Sequence, residues 1–185
     1  KLILSLSLGL LSSLVFATKS DSSCVQFEEQ LYLNLFLNQK SSFDLTQSSS
    51  KCELPQADLL LKEGKFHLQQ TNYEEALKAF EQLMQFNSGT EANEATYYYG
   101  KTLYEMGQFQ EAISYLEQCE NGTYYGTLAD FKIAQSFYKL NQLQNSNLYY
   151  GLVINADPKM DAAWTNLAFN FEQLGDSKNS LRYYR

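Results

Sequence analysis

The chain has 185 residues, of which 44% are hydrophobic and 15% aromatic, so it can bury a core and is not disordered throughout. Its formal net charge is −7, and its 14 Lys and Arg residues form no cluster that could neutralise several phosphates, which argues against a nucleic-acid partner. Two prolines and an interior rich in Leu, Ala, Glu, Gln and Lys favour an all-α fold.

The first segment, KLILSLSLGLLSSLVFATKS, places one lysine before an apolar run that ends in small residues at Val15 and Ala17. The run is shorter than the ~20 apolar residues that span a membrane, so we interpret residues 1–17 as a signal peptide cleaved after Ala17. The alternatives are a signal anchor and an amphipathic helix. Cleavage would leave no membrane span and predicts the endoplasmic reticulum lumen or secretion, or in a bacterium the periplasm.

Residues 18–56 precede a periodic region and contain two cysteines. The stretch CVQFEEQLYLNLFLNQ favours a helix that caps the following domain, although its leucines also alternate as in a strand, and the Ser-rich residues 40–51 indicate a linker. In an oxidising compartment Cys24 and Cys52 could form a disulfide that closes a loop of about thirty residues. The third cysteine, Cys119, fits an inert packed thiol.

The periodic region repeats one pattern four times. NYEEALKAF at residues 72–80 is followed thirty-six residues later by QFQEAISYL at residues 108–116. Extending the alignment gives copies at 57–92, 93–126, 127–160 and 161–185, the last of which is cut within its second helix, and each copy holds two helical patterns joined by a short turn. The missing initial Met and the interrupted fourth copy suggest that the sequence is part of a longer protein.

The positions where two helices of a hairpin must approach most closely carry small residues in every copy. Small side chains there let the backbones come together while larger neighbours fill the space between hairpins. The eight residues are Gly64, Gly100, Ala134 and Ala168 in the first helices and Ala76, Ala112, Ser146 and Ser180 in the second.

The turns inside the copies are also marked. Gly107, Asn141 and Gly175 are placed to end the first helices in a left-handed conformation. In the first copy Thr71 and Glu74 have the spacing of a capping box at the start of the second helix.

This pattern resembles the tetratricopeptide repeat. Trp164, Leu167, Ala168 and Phe171 match the family's first-helix motif, NYEEALKAF matches its second-helix motif, and Pro158 matches the proline between repeats. The departures are Ser146, Ser180, Ser177 and the irregular joint CENGTYYG. The resemblance implies a solenoid, a right-handed superhelix of helical hairpins, with a concave groove lined by the first helices.

The residues one step round from the small first-helix position are expected to line that groove. They are mostly apolar or aromatic with two lysines, which suits an extended peptide or a helix of a partner protein; the alternative is that several of these rings pack inside the array. One subfamily of these proteins clamps a chaperone's C-terminal carboxylate with a Lys and an Asn in the first repeat, but those positions hold Leu61 and Lys65 here. The candidate groove residues are Leu61, Lys65, Tyr97, Lys101, Tyr104, Phe131, Gln135, Tyr138 and Phe169.

The sequence contains no recognisable catalytic or metal-binding constellation. His67 is the single histidine and occupies a packing position, no Cys/His spacing suits zinc, and no glycine-rich loop suits a nucleotide, so we predict no enzyme activity, no metal and no cofactor. Asn121 in NGT is a candidate glycosylation site.

The sequence therefore predicts a non-catalytic interaction scaffold that binds a peptide or a partner protein in its groove. The alternative is the substrate-recognition arm of a larger secretory-pathway enzyme or of a lumenal co-chaperone whose catalytic domain or J-domain lies beyond Arg185.

Overall fold

The computed structural model describes residues 56–86 and 90–184. The expectations for the signal peptide, the capping helix, the Ser-rich linker and the pair Cys24 and Cys52 lie outside these residues. Within the described ranges every regular element is an α-helix, so the predicted all-α fold is confirmed.

The helices form four consecutive hairpins. The first hairpin consists of α1 (Gln56–Gln69) and α2 (Tyr73–Phe86), and the second of α3 (Thr90–Glu105) and α4 (Phe109–Leu116). The third consists of α5 (Tyr124–Lys139) and α6 (Leu143–Ala156), and the fourth of α7 (Asp161–Gln173) and α8 (Ser177–Tyr183). Each second helix packs against the first helix of the next hairpin, so the hairpins stack side by side.

The predicted close approach inside each hairpin is present, and all eight small residues are buried. A Cβ atom added to Gly100 would lie 2.6 Å from Cγ of the buried Leu116, and one added to Gly64 would lie 2.5 Å from the Phe80 ring. These distances are well below van der Waals contact, so a Cβ atom at Gly64 or Gly100 would force the facing side chain to move.

The four intra-hairpin turns share one backbone conformation at equivalent positions. Thr71, Gly107, Asn141 and Gly175 have positive φ angles of 60°, 81°, 58° and 75°. In the first turn Asn72 N–H donates to the His67 carbonyl oxygen and Thr71 N–H donates to that of Leu68, the two bonds of a Schellman motif. The capping-box interpretation of Thr71 was therefore wrong: α2 begins two residues after Thr71, which ends α1 instead.

Thr71 is poorly suited to this conformation, because a β-branched side chain crowds the backbone at positive φ. We expect Thr71→Asn, which copies the third turn, to stabilise the protein by roughly 1 kcal/mol, and Asn141→Thr to destabilise it by a similar amount. Urea unfolding midpoints of the two variants should move in opposite directions. If neither midpoint moves, Thr71 is not strained at this turn.

A buried polar pair joins the last two hairpins. Ser146 donates its hydroxyl to the Ala134 carbonyl oxygen at 2.8 Å, and the Asn170 side-chain amide donates to the Ser146 hydroxyl oxygen at 2.8 Å. Both side chains are at most 1% exposed. Ser146 replaces the usual alanine of the repeat family, and its hydroxyl gives Asn170 of the next hairpin an acceptor.

The earlier hairpins carry different side chains with different hydrogen bonds at the position of Asn170. Thr102 and Ser136 are equivalent to Asn170 and are also fully buried, but their hydroxyls donate within their own helices to the Tyr98 and Lys132 carbonyl oxygens. An alanine on the second helix of the preceding hairpin is therefore sufficient opposite Thr102 and Ser136, because their hydroxyls need no acceptor across the interface between hairpins.

We expect Ser146→Ala to destabilise the protein by about 1–3 kcal/mol, because it leaves the buried Asn170 amide without that acceptor. Asn170→Ser introduces the residue that the preceding hairpin has at the equivalent position. It should lower the free energy of unfolding less in the Ser146→Ala background than in the wild type. A double-mutant cycle measured by urea unfolding tests this coupling. Additive effects would contradict it.

Hydrogen bonds from side chains to the backbone stabilise the irregular joint between the second and third hairpins. Glu120 N–H donates to the Asn93 side-chain oxygen at 2.8 Å, and the Thr123 hydroxyl accepts from Gly126 N–H at 3.0 Å as the N-cap of α5. A Cβ on Gly126 would clash with the Glu120 carbonyl oxygen. The joint therefore depends on asparagine, threonine and glycine at fixed places.

Candidate functional site

The first helices of the first two hairpins border a cavity of about 360 Å³, which we call the Tyr98 cavity. Two predicted groove residues, Lys65 on α1 and Lys101 on α3, line it together with Tyr98 and Glu105. The remaining lining residues are Leu68, Gln69, Thr71 and Tyr73.

Two ammonium groups approach one aromatic ring in this cavity. Lys65 Nζ lies 4.6 Å and Lys101 Nζ 5.6 Å from the centroid of the Tyr98 ring, which also stacks on Phe80 at 5.6 Å. Both lysines are within the distance at which a cation is attracted to an aromatic face. The stacked ring is thus a rigid platform that holds both charges at the cavity wall.

The charge of Lys65 is partly compensated by the neighbouring hairpin. Lys65 Nζ lies 2.6 Å from a Glu94 carboxylate oxygen, and both side chains are partly exposed. Lys101 forms no ion pair with a carboxylate within the residues that the structure describes. Its ammonium is therefore the more available of the two.

A third lysine, Lys132 on α5, lies beside the predicted groove residue Tyr104. Its Nζ lies 4.2 Å from the Tyr104 ring centroid and 3.6 Å from a Glu105 carboxylate oxygen. Burial lowers the pKa of Lys132, and Glu105 opposes part of that effect. Burial also raises the pKa of Tyr104.

The other end of the predicted groove is aromatic. The Tyr138 and Phe169 ring centroids are 6.1 Å apart, and Phe169 remains 39% exposed. Gln135 is half-buried, and its side-chain oxygen is fully buried without a hydrogen-bond partner. This end combines an accessible apolar ring with an unsatisfied acceptor.

Three predicted groove residues contribute more to packing than to an open surface. Tyr97 is only 7% exposed and belongs to the core of the second and third hairpins, where burial raises its pKa to about 12. Phe131 is half-buried and meets the ring of Tyr150 edge-on, and Leu61 packs on the core of the first hairpins. The alternative that some of these rings pack inside the array therefore holds for Tyr97 and partly for Phe131.

The groove residues predicted from the sequence did not include Tyr98 and Lys132. Tyr98 precedes Lys101 by three residues on one helix, a spacing that brings two side chains together and could have indicated the contact. The approach of Lys65 to Tyr98 and that of Lys132 to Tyr104 each join two hairpins. Such contacts depend on how hairpins stack, which the sequence pattern does not specify.

The residues considered for catalysis lie in packed surroundings. His67 is half-buried, its Nε2 is 3.9 Å from Glu63, and its Nδ1 is buried without a hydrogen-bond partner. Cys119 is buried, and burial raises the pKa of its thiol to about 12, which keeps it protonated at neutral pH. Across residues 56–86 and 90–184, no three His, Cys, Asp or Glu side chains are grouped to hold a metal ion.

Asn121 lies in the joint between α4 and α5, and its side chain is exposed. The Thr123 hydroxyl of the same triplet donates to the Glu120 carbonyl oxygen at 2.7 Å while it caps α5. In the part of the chain that the structure covers, no helix is long and apolar enough to cross a membrane.

Comparison with known proteins supports the repeat architecture. A family model described as "Anaphase-promoting complex, cyclosome, subunit 3" matches residues 69–147. No curated protein sequence matches the chain significantly.

Solved structures of helical-repeat proteins are similar in fold. The chain matches a crystal structure of MamA with a TM-score of 0.68 at 15% identity, covering 90% of this chain and 92% of MamA. It matches YrrB, described as a TPR protein with an unusual peptide-binding site, with a TM-score of 0.60 at 16% identity, covering 86% and 77%. It matches the TPR2AB domain of yeast Sti1, solved in complex with pHSP90, with a TM-score of 0.59 at 18% identity, covering 66% and 48%. The fold is thus a tetratricopeptide-type helical solenoid.

Proposed function

We propose that this protein is a non-catalytic scaffold that binds an extended peptide segment of a partner protein along its first helices. The proposal depends mainly on one observation, the row of partly exposed lysines and aromatic rings that runs from Lys65 on α1 to Phe169 on α7. Side chains of this kind are held on rigid helices, so a ligand can bind them without ordering the protein first.

The chemistry of the row suits a peptide better than a small apolar ligand. Partly exposed rings such as Tyr138 and Phe169 offer flat apolar surface at low entropic cost. Among the similar folds, YrrB is described with a peptide-binding site and the Sti1 domain with pHSP90, which supports the same use of this fold here.

The groove can be tested with Tyr138→Ala/Phe169→Ala. Affinity capture with the full chain as bait should recover a partner. This double variant should bind that partner at least tenfold more weakly. Aromatic anchor residues typically contribute about 2 kcal/mol or more to the binding free energy, and each tenfold change in affinity corresponds to about 1.4 kcal/mol. The affinity of purified bait and partner, measured by calorimetry, checks the loss.

A matched control removes two exposed apolar side chains from a second helix. Leu148 and Leu152 on α6 are 68% and 50% exposed and lie away from the first-helix row. Leu148→Ala/Leu152→Ala should retain the wild-type affinity. Loss of binding in this control, with binding intact in the groove variant, would place the interface on the second helices and contradict the proposal.

We also propose that the chain functions in the secretory pathway, with a bacterial periplasm as the alternative. The proposal is supported by the signal-like sequence of residues 1–17 and by the exposed sequon at Asn121. A glycan on Asn121 would lie at a joint between hairpins, where its bulk disturbs no helix packing.

The sequon provides the test of this location. Expressed with residues 1–17 in eukaryotic cells, the chain should show a mobility shift after N-glycosidase treatment that Asn121→Gln abolishes. Thr123→Ser preserves both the sequon and the capping hydroxyl and should retain the shift. An unshifted wild-type chain would argue against entry into the eukaryotic secretory pathway.

A further inference from the structure

We propose that the Tyr98 cavity binds one carboxylate side chain of the peptide ligand while Tyr138 and Phe169 hold an apolar side chain of the same ligand, so that the groove fixes the direction of binding. This inference rests on the proposed function and adds the chemistry of the ligand. It commits to an acidic peptide segment of a partner protein.

The charge balance of the cavity is the first argument. Lys65 is balanced by Glu94 at 2.6 Å and Lys132 by Glu105 at 3.6 Å. Lys101 lies between these two pairs and has no carboxylate partner within the described part of the chain. About one positive charge is therefore left, and it faces a concavity large enough for a side chain.

That balance favours a carboxylate over a phosphate. A phosphate group carries nearly two negative charges at neutral pH, and the Glu105 carboxylate on the cavity wall would repel the second. The cavity wall also contains no arginine, the side chain that binds phosphate through two parallel hydrogen bonds. A single carboxylate matches the one uncompensated ammonium.

The cavity can hold this carboxylate in a defined place. Lys101 and Lys65 both lie beside the Tyr98 ring, which is stacked on Phe80. A carboxylate that reaches Lys101 therefore lies beside the ring that Lys65 also contacts. Such charge-assisted hydrogen bonds are stronger than those between neutral groups.

The aromatic end differs in chemistry. Phe169 is 39% exposed and Tyr138 half-buried, and neither has a lysine against its ring in the described residues. Neighbouring packed helices lie roughly 10 Å apart, so the two subsites, two hairpins apart, are separated by roughly 20 Å. An extended peptide covers that distance with about six residues. The peptide ligand is therefore expected to contain an acidic residue and a large apolar residue about six positions apart.

A random dodecapeptide phage library selected on the full chain tests this inference without a known ligand. Enriched peptides should share an acidic residue followed or preceded, in one fixed order, by an aromatic or large aliphatic residue about six positions away. Synthetic peptides with Glu, Gln or phosphoserine at the acidic position are then titrated by fluorescence polarisation.

Lys101→Gln is the decisive variant, because Lys101 is partly exposed and its removal should leave the fold intact. It should weaken the Glu peptide about tenfold and leave the Gln peptide unchanged. Lys78→Gln, an exposed lysine on α2, is the matched control and should change neither affinity. The phosphoserine peptide should bind no better than the Glu peptide.

The outcomes separate this inference from the proposed function. Peptides that lose binding with Phe169→Ser but show no acidic preference, or an acidic preference that survives Lys101→Gln, would overturn the inference and leave the groove as the binding site. Tighter binding of the phosphoserine peptide would also overturn it. If no peptide is enriched, both proposals fail.

Discussion

The close approach of two helices within each hairpin is the constraint on which the rest of the structure depends. At Gly100 and Gly64 the facing side chains, Leu116 and Phe80, occupy the space that a Cβ atom would need. This contact sets how the first helix lies on the second, because interiors are packed too densely to allow a sliding alternative. Once that geometry repeats, side chains at equivalent first-helix positions come to lie in a row. The candidate binding surface is therefore a consequence of small residues in the core.

The fold could be predicted from the sequence because its signals are local and repeated. The helix periodicity and the eight small positions recur at intervals of thirty-four to thirty-six residues, and the turn residues Gly107, Asn141 and Gly175 recur at intervals of thirty-four. Thr71 was misread because threonine is favoured at a helix start, whereas this turn imposes a left-handed conformation on whichever residue stands there. The cavity could not be predicted in the same way, since Lys65 and Tyr98 meet only when two hairpins stack.

The electrostatics of the groove depend on α3. It supplies Glu94 to Lys65 of the preceding hairpin and Glu105 to Lys132 of the following one, with Lys101 between them. Partly exposed ion pairs of this kind contribute only about 0–1 kcal/mol each, so their effect on stability is small. Their effect on charge is larger, because they reduce three positive charges to about one within a chain of net charge −7. The groove thereby has one uncompensated ammonium group, that of Lys101, on a protein with a negative net charge.

The repeats are not interchangeable, and the buried pair Ser146 and Asn170 shows why. The Asn170 amide reaches back to the hydroxyl of the preceding hairpin at 2.8 Å, whereas alanine occupies that position in the first two hairpins. Stacked on either of those, the last hairpin would bury its amide without this acceptor, at a cost of about 1–3 kcal/mol. This satisfied buried polar pair thus adapts the fourth hairpin specifically to the third.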